Sequence, residues 1–194
     1  MRQLKVLLVV FLAFLSLHIC ANETDSLLRE LDMSIRNRPQ YTLKRQEQID
    51  ALQRKLRLSH SDQERYNLYR ELFGKYRSYR MDSALWVADQ RVELAKRMKN
   101  PLYIYSAELN IAEVMIGVAM YKEGLEILDG IKSADLDDSG VSYYYYQYHQ
   151  VYTLMADYAF SDQMKEYYRG LAYQYKDSII SMRRPCLLYT SDAA

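Results

Sequence analysis

The connections between the amphipathic segments of this chain are very short, and this feature limits the fold more than any other. Apolar residues recur at the three- and four-residue spacing of helices, in segments of roughly 15 to 20 residues. Only 6 Gly and 3 Pro interrupt the 194 residues, which is too few for a fold with many tight turns. Helices that are joined by short connections lie antiparallel to their neighbours. The sequence therefore predicts an all-α fold of consecutive helical hairpins.

Helix start signals locate the predicted helices along the chain. In ETDSLLRELDMSIRN, a capping residue at Thr24 or Asp25 precedes an apolar stripe that begins at Leu27. Ser61 and Glu64 have the spacing of a capping box. Further helix starts are predicted near Asp82, Pro101, Tyr121, Ser142 and Ser161. We therefore expect an N-terminal helical hairpin over residues 22–60, followed by repeated hairpins over residues 61–182.

The predicted hairpins are similar to one another in sequence. When RMDSALWVADQRVELA, MYKEGLEILDGIKSAD and FSDQMKEYYRGLAYQY are aligned, Ala84, Gly124 and Met164 stand at equivalent positions, 40 residues apart. The middle unit matches the small, aromatic and apolar positions of a tetratricopeptide (TPR) repeat, although the usual period is about 34 residues. The matching residues are Ala112, Met115, Ala119, Tyr121, Gly124, Leu128 and Ile131. About three antiparallel helical hairpins, stacked as a TPR-like α-solenoid, are predicted.

The N-terminus has the pattern of a targeting segment. Arg2 and Lys5 precede the apolar run VLLVVFLAFLSL, which has the length of a signal peptide and is shorter than the roughly 20 apolar residues of a membrane span. Cleavage after Ala21 would give a signal peptide over residues 1–21. The alternative is lipidation of Cys20 or an uncleaved anchor. The protein is therefore expected to be exported, either periplasmic or anchored to the membrane and facing the periplasm.

The C-terminal stretch RRPCLLYTSDAA differs from the rest of the chain. Helical periodicity stops at Pro185, and CLLYTSDAA resembles translated adapter sequence from assembled sequencing reads. Residues 183–194 are therefore predicted to be an artefactual or disordered tail, with the natural chain cut near Met182. The alternative is a genuine frayed terminus.

Tyrosines are concentrated in the predicted helix between Ser142 and Tyr158. Tyr145, Tyr148, Tyr152 and Met155 share one face, which we expect to be buried. A second, more polar face carries Tyr143, Tyr146, His149, Thr153 and Asp157. The equivalent face of the first repeat carries Tyr66, Tyr69, Phe73, Tyr76 and Arg77, and that of the middle repeat carries Ser106, Leu109, Glu113 and Ile116. The five residues of the first repeat, together with Tyr146, His149, Thr153 and Asp157 of the tyrosine-rich helix, are predicted to form a partner-binding groove. The alternative is that they pack against the next repeat or the N-terminal helices.

The sequence contains no pattern of an enzyme or a metal site. Its 3 His and 2 Cys form no HExxH motif and no paired metal ligands, and the chain has neither a serine elbow nor a phosphate-binding loop. The net charge of +1 comes from interspersed charges, which does not suit nucleic-acid binding. We therefore predict no catalytic residue, no metal, no cofactor and no nucleic-acid contact. A protein or peptide partner is expected instead.

Two long stretches resemble the N-terminal region of TPR-containing membrane regulators of Bacteroidetes. These are LDMSIRNRPQYTLKRQEQIDALQRKL and ERYNLYRELFGKYRSYRMDSALWVADQRVELAKRMKN. The matching positions are Leu31, Asp32, Ile35, Arg38, Tyr41, Lys44, Ile49, Leu52, Tyr66, Tyr69, Leu72, Phe73, Tyr76, Asp82, Ser83, Ala84 and Ala88. The resemblance covers residues 27–182. It implies that further repeats, a transmembrane helix, a coiled coil and a DNA-binding end follow in such proteins, and that their role is sensing and regulation.

Two classes of function agree with these patterns. In the first, the chain is the extracytoplasmic sensory part of a membrane-bound transcriptional regulator and docks a protein or peptide. In the second, it is a free-standing exported helical scaffold or a glycan-binding lipoprotein. An aromatic groove suits both classes, because aromatic side chains anchor peptides and also stack on sugar rings.

Overall fold

The computed structural model describes residues 24–188, and the side chains among them as far as Met182. The described residues contain no strand, so the all-helical prediction is confirmed. The helices are α1 (residues 24–36), α2 (Arg38–Leu58), α3 (Asp62–Tyr76), α4 (Met81–Met98), α5 (Pro101–Gly117), α6 (Tyr121–Gly130), α7 (Asp138–Asp157) and α8 (Asp162–Leu188), with a 3-10 turn at Ser133–Asp135 before α7. The predicted signal peptide and residues 189–194 lie outside the described residues.

The chain divides into two units, and the division falls inside α2. The first unit ends at Gln48, and the second begins at Ile49. In the described part of the first unit, the apolar stripe on α1 is exposed at Leu27, Leu31 and Ile35. The second unit contains the rest of α2 and helices α3 to α8, and all the groove geometry below belongs to it.

Side-chain caps explain where several helices begin. Ser61 Oγ accepts a hydrogen bond from the backbone N–H of Glu64 at 3.4 Å, as the predicted capping box requires, but the Glu64 carboxylate accepts from Ser59 Oγ at 2.7 Å. Helix α7 begins four residues before the predicted start near Ser142. The reason is Asp137, whose carboxylate accepts from Gly140 N at 2.7 Å and therefore caps the helix earlier.

Helix α8 also differs from the prediction at its end. It continues to Leu188, past Pro185, where the sequence pattern predicts that helical periodicity stops. A proline removes one backbone N–H donor, but the turns on either side of it retain their own hydrogen bonds. The helix therefore extends into the segment that the sequence predicts to be a tail.

The second unit consists of three hairpins, formed by α3 and α4, α5 and α6, and α7 and α8. Each helix from α3 onward packs on the next one along the chain, and α5 also contacts α7. One core cluster joins Ile49 and Leu52 of α2 to α3 and α4. Another joins α5, α6 and α7 around Leu109, Leu128 and Val151. The first helices of the three hairpins, α3, α5 and α7, therefore lie side by side in order.

Small residues set the distance between the two helices of the middle hairpin. Ala112 of α5 is completely buried. A Cβ atom at Gly124 of α6 would lie 2.9 Å from Ile116 Cγ1 and 3.6 Å from the carbonyl oxygen of Ala112. The close approach predicted at these two positions is therefore present, and it leaves no room for a side chain at Gly124.

The tyrosine stripe of α7 is core, and its centre is Tyr148. Tyr148 is 4% exposed, whereas Tyr145 and Tyr152 are half-buried. The Tyr148 ring stacks on Tyr175 of α8 at a centroid distance of 4.5 Å and an interplanar angle of 6°. Its hydroxyl donates to the Asp129 carboxylate at 2.5 Å. Stacked rings with a satisfied hydroxyl explain why so many tyrosines fit between α7 and α8.

Substitution of Gly124 by alanine is expected to destabilise the protein. Alanine favours a helix over glycine by about 1 kcal/mol, but a new Cβ against Ile116 costs roughly 1–3 kcal/mol through overpacking. Gly170→Ala in α8 is the matched control, because no atom lies within 4 Å of a Cβ built there. It is expected to raise the free energy of unfolding by about 0.5–1 kcal/mol. Urea unfolding measures both variants, and equal shifts of the same sign would contradict the close approach.

Candidate functional site

An open groove with a volume of about 490 Å³ lies along the first helices of the three hairpins. We call it the α3–α5–α7 groove. It is lined by Gln63, Tyr66, Asn67, Arg70, Phe73, Gly74 and Arg77 of α3, by Arg91 of α4, by Leu102, Tyr103, Ser106, Leu109 and Asn110 of α5, and by Asp137, Ser139, Gly140 and Tyr143 around the start of α7.

Helical spacing places the side chains on the walls. In α3, Tyr66, Arg70, Phe73 and Arg77 follow one another at intervals of three or four residues, which puts them on one face. These side chains alternate in character, because Tyr66 and Phe73 are buried whereas the two arginines are exposed. The wall therefore combines apolar surface with positive charge.

A buried arginine contributes to the groove from the second helix of the first hairpin. Arg91 is 2% exposed. Its Nη1 donates a hydrogen bond to Asn110 Oδ1, and its Cζ lies 4.4 Å from the centroid of the Tyr66 ring. No described residue accepts a hydrogen bond from its Nε. The groove therefore has a buried cation with an unused donor in its lining.

The aromatic pair beside Arg91 is fixed in place. Tyr66 and Tyr103 stack with ring centroids 4.8 Å apart, and the Tyr66 hydroxyl donates to the backbone carbonyl of Tyr103 at 2.8 Å. Burial raises the pKa of Tyr66, and the charge of Arg91 opposes this effect. Burial lowers the pKa of Arg91, with Tyr66 opposing it. A guanidinium has so high an ordinary pKa that Arg91 is charged at neutral pH.

A polar bridge links the three helices beside the groove. Arg77 Nη1 of α3 lies 3.0 Å from Glu113 Oε1 of α5, and Tyr143 of α7 donates its hydroxyl hydrogen to Glu113 Oε2. Burial raises the pKa of Tyr143, and the Glu113 carboxylate raises it further. Because Glu113 accepts from both sides, the bridge fixes α3 and α7 relative to α5.

The structure divides the predicted groove residues of α3 between the groove and the core. Tyr66, Phe73 and Arg77 line the groove. Tyr69 packs edge-on against Trp86 at a centroid distance of 5.9 Å. Tyr76 is buried, and its hydroxyl accepts a hydrogen bond from Gln53 Nε2 at 3.1 Å. The last two side chains point toward the helices behind α3.

The predicted groove residues of α7 lie beyond the groove. Tyr146 is exposed and lines a neighbouring cavity of about 200 Å³, which also contacts Arg77. His149 Nδ1 lies 3.0 Å from the carbonyl oxygen of Ala172 in α8. Thr153 Oγ1 donates to the carbonyl of His149 at 2.7 Å, and Asp157 is the exposed last residue of α7. The part of α7 that reaches the groove is its N-terminal end, from the cap Asp137 to Tyr143, and most of this stretch precedes the predicted start near Ser142. A binding role for the nine predicted residues stays a prediction.

Several residues of the groove were absent from the predicted set. Tyr103 and Asn110 belong to the middle repeat, and Arg91 belongs to a second helix, from which no groove residue was expected. One signal was available: Arg91 interrupts the small, buried face of α4 that contains Ala88 and Ala95. A lone arginine on such a face is unusual, because charged side chains are rarely buried without a partner.

Residues 24–188 contain neither a cluster of metal ligands nor a candidate membrane span. No group of three or more His, Cys, Asp or Glu side chains could hold a metal ion there. None of the helices in that range combines the length and the apolar character that a membrane span needs.

Comparison with known proteins identifies the family. The model of the family described as the SusR N-terminal TPR domain matches residues 35–188. The match covers most of the chain, so the chain belongs to this family, and the predicted TPR-like region is confirmed. No curated protein and no solved structure matches the chain. Membership of a TPR family indicates a module for protein–protein interaction.

Alkaline pH is expected to destabilise the fold through Tyr66, Tyr143 and Tyr148. Burial is the main cause that raises the pKa of each. The unfolded chain releases these protons near pH 10, whereas the folded chain keeps them to higher pH. Stability from these groups is therefore complete below about pH 10. It falls as the pH rises further, by up to about 1.4 kcal/mol per pH unit for each tyrosine.

Urea unfolding between about pH 8 and about pH 11 measures this decline. Tyr143→Phe removes one of the three phenols, so its stability should fall less steeply with pH than that of the unaltered protein. A decline of the same slope in both proteins would show that Tyr143 does not contribute to it.

Proposed function

We propose that this chain, as a SusR N-terminal TPR domain, is the extracytoplasmic interaction module of a membrane-bound transcriptional regulator. In this proposal the α3–α5–α7 groove docks an extended segment of another protein. The observation that carries the proposal is the groove itself, an open channel of about 490 Å³ along the first helices of three consecutive hairpins. TPR arrays present their extended surfaces to partner proteins.

The side chains of the groove suit a peptide backbone. Gln63 and Asn67 of α3 line it, and an amide side chain both donates and accepts hydrogen bonds. An extended peptide offers one N–H donor and one carbonyl acceptor at nearly every residue. Leu102 is half-buried and supplies apolar contact surface, whereas Phe73 and Leu109 of the lining are buried. A polypeptide segment therefore matches both the polar and the apolar parts of the lining.

The charge of the groove favours an acidic segment. Its charged lining residues are Arg70, Arg77, Arg91 and Asp137. Asp137 uses its carboxylate to cap α7, accepting from Gly140 N and from Ser139 Oγ at 3.0 Å. Arg77 is paired with Glu113. Arg70 and Arg91 remain, and their positive charge favours a partner of opposite sign and speeds its association.

The aromatic rings of the groove favour a peptide over a neutral glycan. A sugar ring needs a free aromatic face for stacking. Tyr66 already stacks against Tyr103 and lies under Arg91, and Tyr143 is fixed by its hydrogen bond to Glu113. The glycan-binding scaffold therefore becomes the alternative outcome of the binding experiment.

The compartment in this proposal depends on the N-terminus. The apolar run after Lys5 has the pattern of an export signal, and the resemblance to membrane regulators implies a sensory part outside the cytoplasm. A module in that position would signal to the rest of the regulator whether the groove is occupied.

Peptide display tests the docking surface. The full chain is used to select binders from random heptapeptides on phage. The affinity of each selected peptide for the unaltered chain is then compared with its affinity for two variants. Ser106→Trp places a large ring in the groove and should weaken binding at least tenfold. Glu123→Trp, at an exposed position in the first turn of α6, is the matched control and should bind normally.

Two results would contradict the proposed docking. Peptides that bind Ser106→Trp as well as the unaltered chain would place the interaction elsewhere. Saturable binding of the neutral disaccharide cellobiose, lost in Ser106→Trp, with no peptide enriched, would favour the glycan-binding scaffold.

Mass spectrometry of the protein recovered from its native host tests the compartment. Cleavage by the exporting peptidase should leave a mature chain that begins at Asn22. A lipid-modified Cys20 at the N-terminus would support the anchored form instead. Recovery of the chain from the cytoplasm with Met1 intact would contradict export.

A further inference from the structure

We propose that Arg91 is the anchoring point for a carboxylate of the docked segment, either its C-terminal carboxylate or an acidic side chain. This inference rests on the proposed docking function and names the chemistry that the groove selects. It assigns the affinity of the groove to a residue on the second helix of a hairpin, behind the face that the first helices form.

Arg91 is a buried cation without an anionic partner among the described residues. Arg91 is 2% exposed, yet it forms no ion pair with any residue that the structure describes. The hydrogen bond that its Nη1 donates goes to the neutral amide of Asn110. A buried charge without a counter-ion is strongly unfavourable. A residue with this cost is expected where a ligand supplies the missing charge.

A second positive charge lies near Arg91 in the lining of the groove. Arg70 also lines the groove, is exposed, and is near enough for its charge to lower the pKa of Arg91, although burial lowers it more. Tyr66 and Tyr143 raise the pKa of Arg91. Arg70 and Arg91 are thus two cations in the lining of one groove, whose carboxylate at Asp137 is engaged in capping α7, and an anion placed there would be attracted by both arginines.

The contacts of Arg91 leave its Nε donor without a partner and hold it in a defined orientation. Nη1 is occupied by Asn110, and the Tyr66 ring lies against the guanidinium plane. These contacts fix the plane and leave Nε without a partner. Nε and Nη2 form one edge of a guanidinium, and such an edge matches the two oxygens of a carboxylate. Because so little of Arg91 is exposed, binding must be accompanied by a small movement of the lining around it.

The NMR signal of the Arg91 Nε–H group provides a direct test. The full chain is titrated with N-acetylglycine, which carries a peptide group and a free carboxylate, and with N-acetylglycine amide, which lacks the charge. The acid should shift the Arg91 signal in a saturable way, and the amide should not. Inorganic phosphate is the third probe.

Variants connect the signal to the site. Arg91→Gln should weaken N-acetylglycine binding at least tenfold. The backbone amide signals of the groove residues measure this affinity, because the variant has no Arg91 Nε–H group. Arg70→Gln, at an exposed position where folding is not affected, should weaken it by a smaller factor. Arg97→Gln removes the same charge from an exposed position on the same helix and should leave the affinity unchanged.

The possible results separate this inference from the docking proposal. If displayed peptides bind the groove but their amides bind equally well and Arg91→Gln has no effect, docking stands and the carboxylate anchor is overturned. Tighter binding of phosphate than of N-acetylglycine would replace the carboxylate with a phosphoryl anion. If N-acetylglycine binds at Arg91 and no peptide binds, the ligand is a small carboxylate, and a peptide source is overturned.

Thermal unfolding distinguishes a binding role from a structural one. The double variant Arg91→Met with Asn110→Leu removes both hydrogen-bonding partners and keeps similar volumes. Replacement of both partners by apolar side chains is nearly neutral or stabilising when the pair serves only binding. The Tm should therefore be unchanged or higher while N-acetylglycine binding is lost. A fall in Tm of about 10 °C or more would assign Arg91 to the stability of the core.

Discussion

Close contact between helices at small side chains determines the rest of this structure. Ala84 and Ala88 of α4 and Ala112 of α5 have no exposed surface, and Gly124 has no space for a Cβ atom. This close contact in the first and middle hairpins packs α4 against α3 and α6 against α5. The first helices then lie next to one another, and their outward faces form a continuous groove. Larger residues at these positions would separate the hairpins and remove the groove with them.

The sequence predicted elements better than it predicted the site, for a physical reason. Caps and apolar periodicity are local, so the helices near Pro101 and Tyr121 were placed correctly, and only the cap at Asp137 was missed. A groove depends on which face each helix turns outward. Tyr76 follows Phe73 by three residues in α3. The turn of the helix between them directs the Tyr76 side chain away from the groove and toward Gln53 of α2. The contacts of Arg91 with Tyr66 and Asn110 could not be predicted, because they depend on how α4 is rotated against α3 and α5, which the residue spacing within α4 does not specify.

Polar side chains fix the hairpins relative to one another after apolar packing has brought them together. The Tyr148 hydroxyl bonds to Asp129, and Tyr143 bonds to Glu113, so α7 is joined to α6 and to α5 by hydroxyls whose rings are packed in the core. Hydrophobic contact alone would permit the helices to slide, since it has no preferred direction. Directional bonds at the ends of buried rings give each helix a defined register.

The bridge at Glu113 has a consequence for how the array loses its structure. In a linear array each repeat contacts only its neighbours, so melting can begin at one end and spread by single units. Glu113 accepts from Arg77 of the first hairpin and from Tyr143 of the third. Fraying of either outer hairpin would therefore remove a hydrogen-bonding partner from the middle one. We therefore expect the three hairpins to unfold in one cooperative transition, so that destabilising one end of the array also destabilises the other end.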